Sequence, residues 1–217
     1  MANIHHKQSM ISVIEFDGRL TLIPEFISAS DAARYCQRLV DELDWATESI
    51  RLYGKTMQSP RLVSWYGDPG ANYRYSGLMH SPRPWHVLLD EIKNRLETFS
   101  GRRFNSVLCN LYRNGNDSMG WHADKEKELG MNPYIGSLSL GESRLFRIRH
   151  CKTGKTHDLE LGSGSLLIMS EELQRHWRHC IPKFKTKESP RINLSFRKII
   201  CGSGTDSPES VAKGVGD

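Results

Sequence analysis

His122 and Asp124 stand two residues apart in the segment from Ser118 to Glu126, a spacing that could serve metal chemistry. In an extended chain, alternate residues point to the same side, so this imidazole and this carboxylate would face one centre. Iron(II) enzymes that activate O₂ hold the metal with two histidines and one carboxylate and leave other positions open. The pair therefore supplies two ligands of such a site, provided that a second histidine comes from elsewhere.

A lone His-x-Asp pair is common on wet protein surfaces, so the prediction depends on the third ligand. Two histidines compete for that position, His176 and His179, in the segment His-Trp-Arg-His-Cys-Ile-Pro. Residues three apart on a strand face opposite sides, and therefore only one of the two can point at the metal.

The stretch from Arg191 to Arg197 alternates strictly between apolar and polar residues, which predicts a strand. The apolar set is Ile192, Leu194 and Phe196, and the polar set is Arg191, Asn193, Ser195 and Arg197. At about 3.3 Å per residue the two arginines are about 20 Å apart, too far to bind one carboxylate together. One of them could hold the far carboxylate of a small diacid while the other stays near the metal. A face exposed to water is the alternative.

Short strands follow one another from Phe104 onward, separated by turn residues such as Asn114-Gly115 and Gly162-Ser163-Gly164. The predicted strands are 104–112, 136–140, 144–149, 157–161, 165–170, 177–180 and 191–200. This pattern is typical of an antiparallel sandwich or jelly roll, in which the two candidate metal-ligand segments can meet.

The upstream half is predicted to contain two helices and further strands. Ser30 would cap a core-facing helix, and Pro84 would open a second one that stops at Gly101. We therefore predict a mostly β fold with flanking helices, in the α+β class. One domain would cover residues 11–201, between a flexible N-terminus at 1–10 and a disordered tail at 202–217.

Composition limits the possible function classes. The 217 residues include 30 Lys plus Arg against 25 Asp plus Glu, a net charge of +5 that favours an anionic partner. Five cysteines without a Cys-x-x-Cys motif argue against a disulfide framework and a structural zinc site. No apolar run approaches the roughly 20 residues of a membrane span, and the first ten residues lack a signal-peptide core. We expect a soluble intracellular protein.

Four motifs follow one another in a specific order: Asn110-Leu111-Tyr112, His122-Ala123-Asp124-Lys125-Glu126, His179, and the strand from Arg191 to Arg197. Together they resemble the AlkB family of iron(II)- and 2-oxoglutarate-dependent nucleic-acid dealkylases. The likeness continues upstream through 66–68, 73–77 and 82–85, covers roughly residues 15 to 200, and is closest to the family's animal DNA-repair members. It implies a double-stranded β-helix (jelly-roll) core at 104–201 and a nucleotide-recognition region with hairpins at 11–103.

The resemblance also implies roles for individual residues. Fe(II) would be bound by His122, Asp124 and His179, which aligns with the family ligand where His176 does not. The cosubstrate 2-oxoglutarate would be held by Asn110, Tyr112, Arg191, Asn193, Ser195 and Arg197. Of these, Arg191, Tyr112 and Asn193 would meet its distal carboxylate, and the others would lie nearer the metal.

Substrate contacts are expected at two places by the same resemblance. The damaged base would be held by Tyr73, Tyr75, Ser76, Glu126 and His122. A hairpin tip at Tyr53, Gly54 and Lys55 would probe the duplex, with Tyr53 filling the gap left by a flipped base. Surface turns and buried aromatics are the ordinary uses of such residues, and Glu126 lies in a charged run that could simply be solvated.

A row of lysines at Lys183, Lys185 and Lys187 alternates with Phe184 and Thr186. In an extended chain these charges would lie on one side and could follow a phosphate backbone. Surface lysines more often serve solubility, so this prediction depends on the prediction that Tyr53 inserts into duplex DNA.

The resemblance implies oxidative demethylation of N-alkylated bases in DNA, such as 1-methyladenine and 3-methylcytosine, in repair of alkylation damage. Fe(II), O₂ and 2-oxoglutarate would be used, and formaldehyde, succinate and CO₂ released. The alternatives are the same oxygenase chemistry on RNA or on a protein side chain, and a DNA-binding module without a working metal site. We expect a monomer that meets single- or double-stranded methylated DNA, in the nucleus of a eukaryote or the cytoplasm of a bacterium.

Overall fold

A computed structural model describes residues 9–52, 55–75, 78–184, 186 and 188–200, with only the course of the backbone at 49–52, 55–57, 73–75 and 78–80. Its strands are β1 Ile11–Ile14, β2 Arg19–Ile23, β3 Ala46–Leu52, β4 Lys55–Gly67, β5 Tyr73–Tyr75, β6 Leu78–His80, β7 Ser106–Tyr112, β8 Met119–His122, β9 Ile135–Gly141, β10 Arg144–His150, β11 Thr156–Leu161, β12 Leu166–Ser170, β13 Trp177–Ile181 and β14 Arg191–Arg197. Its helices are α1 Ala29–Glu42, α2 Val87–Ser100 and the single turn α3 Leu173–His176. In this part of the chain, no helix is both long and apolar enough to span a membrane.

The strands form two main antiparallel sheets. The large sheet has eight strands in the order β1-β2-β12-β9-β14-β7-β4-β3, and the small one has four in the order β11-β10-β13-β8. Strands β5 and β6 form a separate pair. The predicted β-rich jelly-roll class with flanking helices is confirmed.

The hydrophobic core lies on both faces of the large sheet. On one face, α1 and α2 bury Leu39 and Leu88 against β14 residues such as Leu194. On the other face, Ile135 of the large sheet packs in one cluster with Phe146 of the small sheet. Burying one such side chain contributes about 1.5–3 kcal/mol, so β14 is held firmly between the helices and the interior.

Strand β14 excludes the alternative that its polar face is exposed to water. All seven of its residues are buried, because its apolar side packs under the helices while its polar side faces the space between the sheets. Arg191 is only 1% exposed and Arg197 only 4%. Two arginines therefore lie in the protein interior.

The helix ends differ slightly from the predicted ones. Helix α1 is capped by Ser28, not Ser30, since the Ser28 hydroxyl accepts a hydrogen bond from the Asp31 amide at 3.2 Å. Helix α2 begins at Val87, three residues after Pro84. It ends as predicted at Gly101, whose φ of 66° is the left-handed conformation that favours glycine.

Strands β3 and β4 form an antiparallel hairpin whose last described pair is Leu52 with Lys55. The predicted hairpin tip at Tyr53 and Gly54 lies outside the described residues. Most of the predicted flexible N-terminus, 1–10, and all of the predicted disordered tail, 202–217, also lie outside the described residues. The predicted domain boundaries stay predictions.

Candidate active site

The small sheet brings together two segments that are far apart in sequence. Strand β13 pairs with β8 so that His179 lies directly opposite His122, and their ring centroids are 4.2 Å apart. Asp124 follows just after β8, and its backbone amide donates to the side-chain oxygen of Gln174 at 3.0 Å. The ligand atoms of His122, Asp124 and His179 all lie within 4.8 Å of one another. One imidazole pair and one carboxylate thus converge on a single point.

Neighbouring groups orient these three side chains. Arg197 donates to the Asp124 carboxylate at 3.0 Å, and both side chains are 5% exposed. The Nδ1 atom of His122 lies 2.9 Å from the Gly120 carbonyl, to which it donates when protonated, and this leaves Nε2 available as a ligand. Phe146 stacks on the His179 ring at 5.2 Å. Such contacts hold metal ligands in place before the metal arrives.

The electrostatics of the cluster suit a divalent metal. Burial, reinforced by the neighbouring His122, lowers the pKa of His179 to about 3. Burial also lowers the pKa of His122, against the opposing charge of Asp124. For Asp124 burial raises the pKa, but Arg197 and the two imidazoles outweigh it and the net pKa falls. Two neutral imidazoles and one carboxylate are the protonation states that bind metal.

Arg191 lies in the same cavity and has spare hydrogen-bond donors. Its guanidinium donates to the Ser139 hydroxyl at 2.9 Å and lies 5.1 Å from the centre of the Tyr112 ring. Among the described residues, its Nε and Nη1 atoms have no hydrogen-bond partner. A buried donor left unsatisfied costs about 1–3 kcal/mol, so these two N–H groups are suited to a carboxylate ligand.

Polar side chains continue from Arg191 along the cavity toward the metal cluster. Asn193 donates to the Ser137 hydroxyl at 2.8 Å and accepts from Ser195 at 3.0 Å. Asn110 accepts from the buried Arg61 at 2.6 Å. The cavity holds about 470 Å³ including its open mouth, and its lining includes the metal cluster, Asn110, Tyr112, Arg191, Asn193, Ser195 and Arg197.

The chain matches the model of the 2OG-Fe(II) oxygenase superfamily over residues 19–197. It is 38% identical over 191 residues to human "Alpha-ketoglutarate-dependent dioxygenase alkB homolog 3", covering 83% of this chain and 66% of that protein. It is 37% identical over 182 residues to human "DNA oxidative demethylase ALKBH2", covering 79% of this chain and 70% of that one. This chain belongs to the AlkB family. "The structure of OsALKBH1" shares the fold with a TM-score of 0.65 at 16% identity, over 87% of this chain and all of that one.

Membership of the AlkB family fixes the cofactor class as Fe(II), 2-oxoglutarate and O₂. The residues present fit these groups, since the His-Asp-His cluster offers iron ligands and the buried N–H groups of Arg191 suit a carboxylate. The chain spans 66% of the length of the first curated AlkB relatives it matches.

The structure brings together all nine residues that were predicted for metal and cosubstrate. His176 points elsewhere, with its Nδ1 atom 3.9 Å from Asp17. Glu126 is half-buried and does not line the cavity. Lys183 is exposed, and Lys55 begins β4. The side chains of Tyr73 and Tyr75, together with Ser76, Lys185 and Lys187, lie outside what the structure describes.

Sequence reasoning missed several residues that support this AlkB site. Ser137 and Ser139 belong to β9, where they alternate with leucines, so the alternation could have revealed an inward polar face. Gln174 precedes the third ligand by five residues, and Arg61 is distant in sequence. No local pattern marks these last two, because their partners are set by the packing of separate strands.

Proposed function

We propose that this chain oxidatively removes N-linked methyl groups from bases in DNA and so repairs alkylation damage. The observation that carries the proposal is one cavity that joins a His-Asp-His cluster to a buried arginine, two of whose nitrogens have no hydrogen-bond partner in the described part of the chain. A keto diacid that chelates a metal at one end needs this combination, an anion site set back from three metal ligands. The name "DNA oxidative demethylase" of one relative supports the choice of substrate.

In this proposal, His122, Asp124 and His179 hold the iron from one side. When bound there, iron with O₂ and 2-oxoglutarate would supply the oxidising power to hydroxylate the N-methyl carbon. Formaldehyde would then leave the base, and succinate and CO₂ would be the other products. Arg197 keeps the Asp124 carboxylate ionised and aimed at the metal.

Arg191 would bind the distal carboxylate of the cosubstrate, together with Tyr112 and Asn193. The guanidinium lies 5.1 Å from the centre of the Tyr112 ring, and its Nη2 atom donates to Ser139. These contacts hold its plane in place while donors on Nε and Nη1 remain for a carboxylate. Asn110, Ser195 and Arg197 would lie at the metal end. Arg61 holds the Asn110 side-chain oxygen, which leaves the Asn110 amide N–H groups for the ligand.

The base would be extruded from the strand and held by Tyr73, Tyr75, Ser76, Glu126 and the edge of His122. A carboxylate near the base favours cationic lesions such as 1-methyladenine and 3-methylcytosine, since opposite charges attract more strongly away from bulk water. The hairpin at Tyr53, Gly54 and Lys55 would contact the DNA, with Tyr53 in the gap left by the flipped base. Lys183, Lys185 and Lys187 would contact its phosphate backbone. We further propose a monomer in the compartment that holds DNA, the nucleus of a eukaryote or the cytoplasm of a bacterium.

Turnover on matched substrates tests the function. Formaldehyde and succinate are measured with Fe(II) and 2-oxoglutarate on methylated single-stranded DNA, the same duplex, the same sequence as RNA, and a methylated peptide. We expect release of both products at equal rates on DNA. Faster turnover on RNA or on the peptide would show that DNA is not the preferred substrate. Absence of iron-dependent succinate with every substrate would indicate a binding module.

Tyr53→Ala tests the duplex part of the proposal. Flipping a paired base costs a few kcal/mol, and an inserted ring offsets part of this cost. We expect a loss of about tenfold or more on duplex 1-methyladenine and little change on the single strand. Tyr53→Phe keeps the ring and should stay near wild type. Equal losses on both substrates for Tyr53→Ala would give the tyrosine a structural role.

Replacing the three lysines tests backbone contact. Each phosphate contact adds about 0.9 to the slope of log affinity against log salt for B-DNA, so Lys183→Ala with Lys185→Ala and Lys187→Ala should flatten the slope by up to about 3. Filter binding at several salt concentrations measures it. An unchanged slope would leave these lysines without a DNA contact.

A further inference from the structure

A second His-His-Asp group lies outside the cavity, where three connections meet. Asp17 is in the turn between β1 and β2, His150 ends β10, and His176 ends α3. One ligand atom from each lies within 4.8 Å of the other two. His150 Nε2 is 3.0 Å from Asp17 Oδ2, and His176 Nδ1 is 3.9 Å from the same oxygen. We call Asp17, His150 and His176 the outer cluster.

The second nitrogen of each outer-cluster imidazole lies near a side-chain oxygen. His150 Nδ1 lies 2.9 Å from the Thr153 hydroxyl, and His176 Nε2 lies 3.5 Å from the Glu172 carboxylate. If these outer nitrogens carry the protons, the nitrogens that face Asp17 are unprotonated, and each has a lone pair that can bind a metal ion. An oxygen partner on the outer N–H is the arrangement that fixes metal-binding histidines. The Thr153 amide lies 3.1 Å from His150 Nδ1 and donates to it when that nitrogen is unprotonated. In the tautomer that binds an ion, Nδ1 carries the proton, so this hydrogen bond would be lost.

The spacing of the ligand atoms fits a small tetrahedral ion. Ligands about 2.0–2.1 Å from zinc are about 3.3 Å from each other. The two distances to Asp17 Oδ2, 3.0 Å and 3.9 Å, lie on either side of that value, and the two imidazole nitrogens lie within 4.8 Å of each other. Two imidazoles and one carboxylate are also ligands that zinc prefers.

The surrounding packing holds the outer cluster in place. A Cβ at Gly18 would lie 2.3 Å from the Leu173 backbone, so the turn that carries Asp17 is pressed directly against α3. The Trp177 indole donates to the Phe16 carbonyl at 3.2 Å, and its ring meets His150 edge-on at 4.9 Å. The segments that carry the three ligands are therefore already held together by packing.

We propose that the outer cluster is a second metal site, which binds a divalent transition metal ion of the zinc type with Asp17 Oδ2, His150 Nε2 and His176 Nδ1 as ligands. Its fourth position is open to water, since the Asp17 side chain is 31% exposed and that of His176 23%. The ion would join the β1–β2 turn, β10 and α3, and stabilise the fold. This proposal does not depend on the proposed function.

Zinc stoichiometry and thermal melting of the full chain test the proposal. The parent carries His5→Ala and His6→Ala, because this adjacent pair could bind zinc by itself. In equilibrium dialysis with Zn²⁺ we expect two ions per parent chain, one after His122→Ala, and one after Asp17→Asn. Zinc should raise the melting temperature of the His122→Ala chain. On that background Asp17→Asn should abolish this rise and weaken binding by more than about 100-fold, since even outer partners of metal ligands contribute about 10–100-fold.

Three further variants make the test specific. Asp17→Asn keeps the size of the side chain and an oxygen that can accept from His150, so its melting without metal should match the parent. His157→Ala removes a nearby imidazole outside the outer cluster and should keep both ions; Glu172→Gln should weaken the outer site by about 10-fold. Two ions retained by Asp17→Asn, or an ion lost equally in His157→Ala, would overturn the proposal. If Asp17→Asn fails to fold, His176→Gln takes its place with the same expected loss.

Discussion

Two groups of the same composition, two histidines and one aspartate, lie in this chain, and their ligands His176 and His179 are three residues apart. In the first, Asp124 is 4% exposed and bonded to Arg197. In the outer cluster, Asp17 is partly exposed, and the carboxylate of Glu172 lies 3.5 Å from His176. The ligand types are alike, but the surrounding charges and the access differ.

The difference shows that the residues around the ligands decide what chemistry each group is suited to. Asp124 lines a cavity that is also lined by Arg191 and Asn193, so an anion and a metal can be bound side by side. The outer cluster contributes no residue to that lining, and oxygen groups and packed aromatic rings surround it. The first group is therefore suited to the proposed cosubstrate chemistry, whereas the proposed ion at the outer cluster would join elements of the fold.

The largest expected effect separates the two groups by ligand removal. His179→Ala, His122→Ala or Asp124→Ala should each abolish dealkylation, because the two ligands that remain are too few to hold iron. The fold should survive, as circular dichroism would show. His176→Ala should retain iron in the cavity. Iron content and formaldehyde release measure both effects. If the His176→Ala enzyme were inactive and the His179→Ala enzyme active, His176 and not His179 would be the iron ligand.

A smaller effect tests the anion pocket that only the first group possesses. Arg191→Lys removes the planar fork, so the apparent requirement for 2-oxoglutarate should rise about 10–100-fold, the equivalent of about 1.5–3 kcal/mol for a charged hydrogen bond. Binding of methylated DNA should hardly change.

Arg147→Lys is the matched control for Arg191→Lys. Arg147 makes a two-pronged pair with Asp158 at 2.7 Å, but on the surface, where such pairs contribute little. A 2-oxoglutarate requirement that is the same in both variants would remove Arg191 from the cosubstrate site.

The sequence predicted the strands of the core well, because alternation and turn residues are local. Every predicted strand from Gly136 onward overlaps an observed one, and Gly101 ends α2 as expected. The start of α1 was misplaced by two residues, since Ser28 and Ser30 are both good caps and only the observed bond to the Asp31 amide decides.

Long-range features were less accessible. Alternation in β14 predicted the two faces, but it could not show that the polar face is buried, because a second sheet covers it. The outer cluster depends on three connections distant in sequence, and Asp-Gly, the pair at positions 17 and 18, is by itself a common turn signal. Predicted roles for base and DNA contacts stay predictions, since they fall largely outside the described residues.

The smallest effect for a single step in the conditions, one pH unit, concerns the acid stability of the metal-free protein. Burial lowers the pKa of His179 to about 3, from an ordinary value near 6.5, so between these limits the unfolded chain binds a proton that the native chain does not. The free energy of unfolding should therefore fall with decreasing pH, by up to about 1.4 kcal/mol per pH unit from this group. The lowered pKa of Asp124 acts in the same direction, since stability present above the ordinary carboxyl pKa is lost as the pH falls further. His179→Gln should flatten the profile between pH about 6.5 and about 3 in urea unfolding of chelator-treated protein. Parallel profiles for the two proteins would show that His179 is not the group responsible.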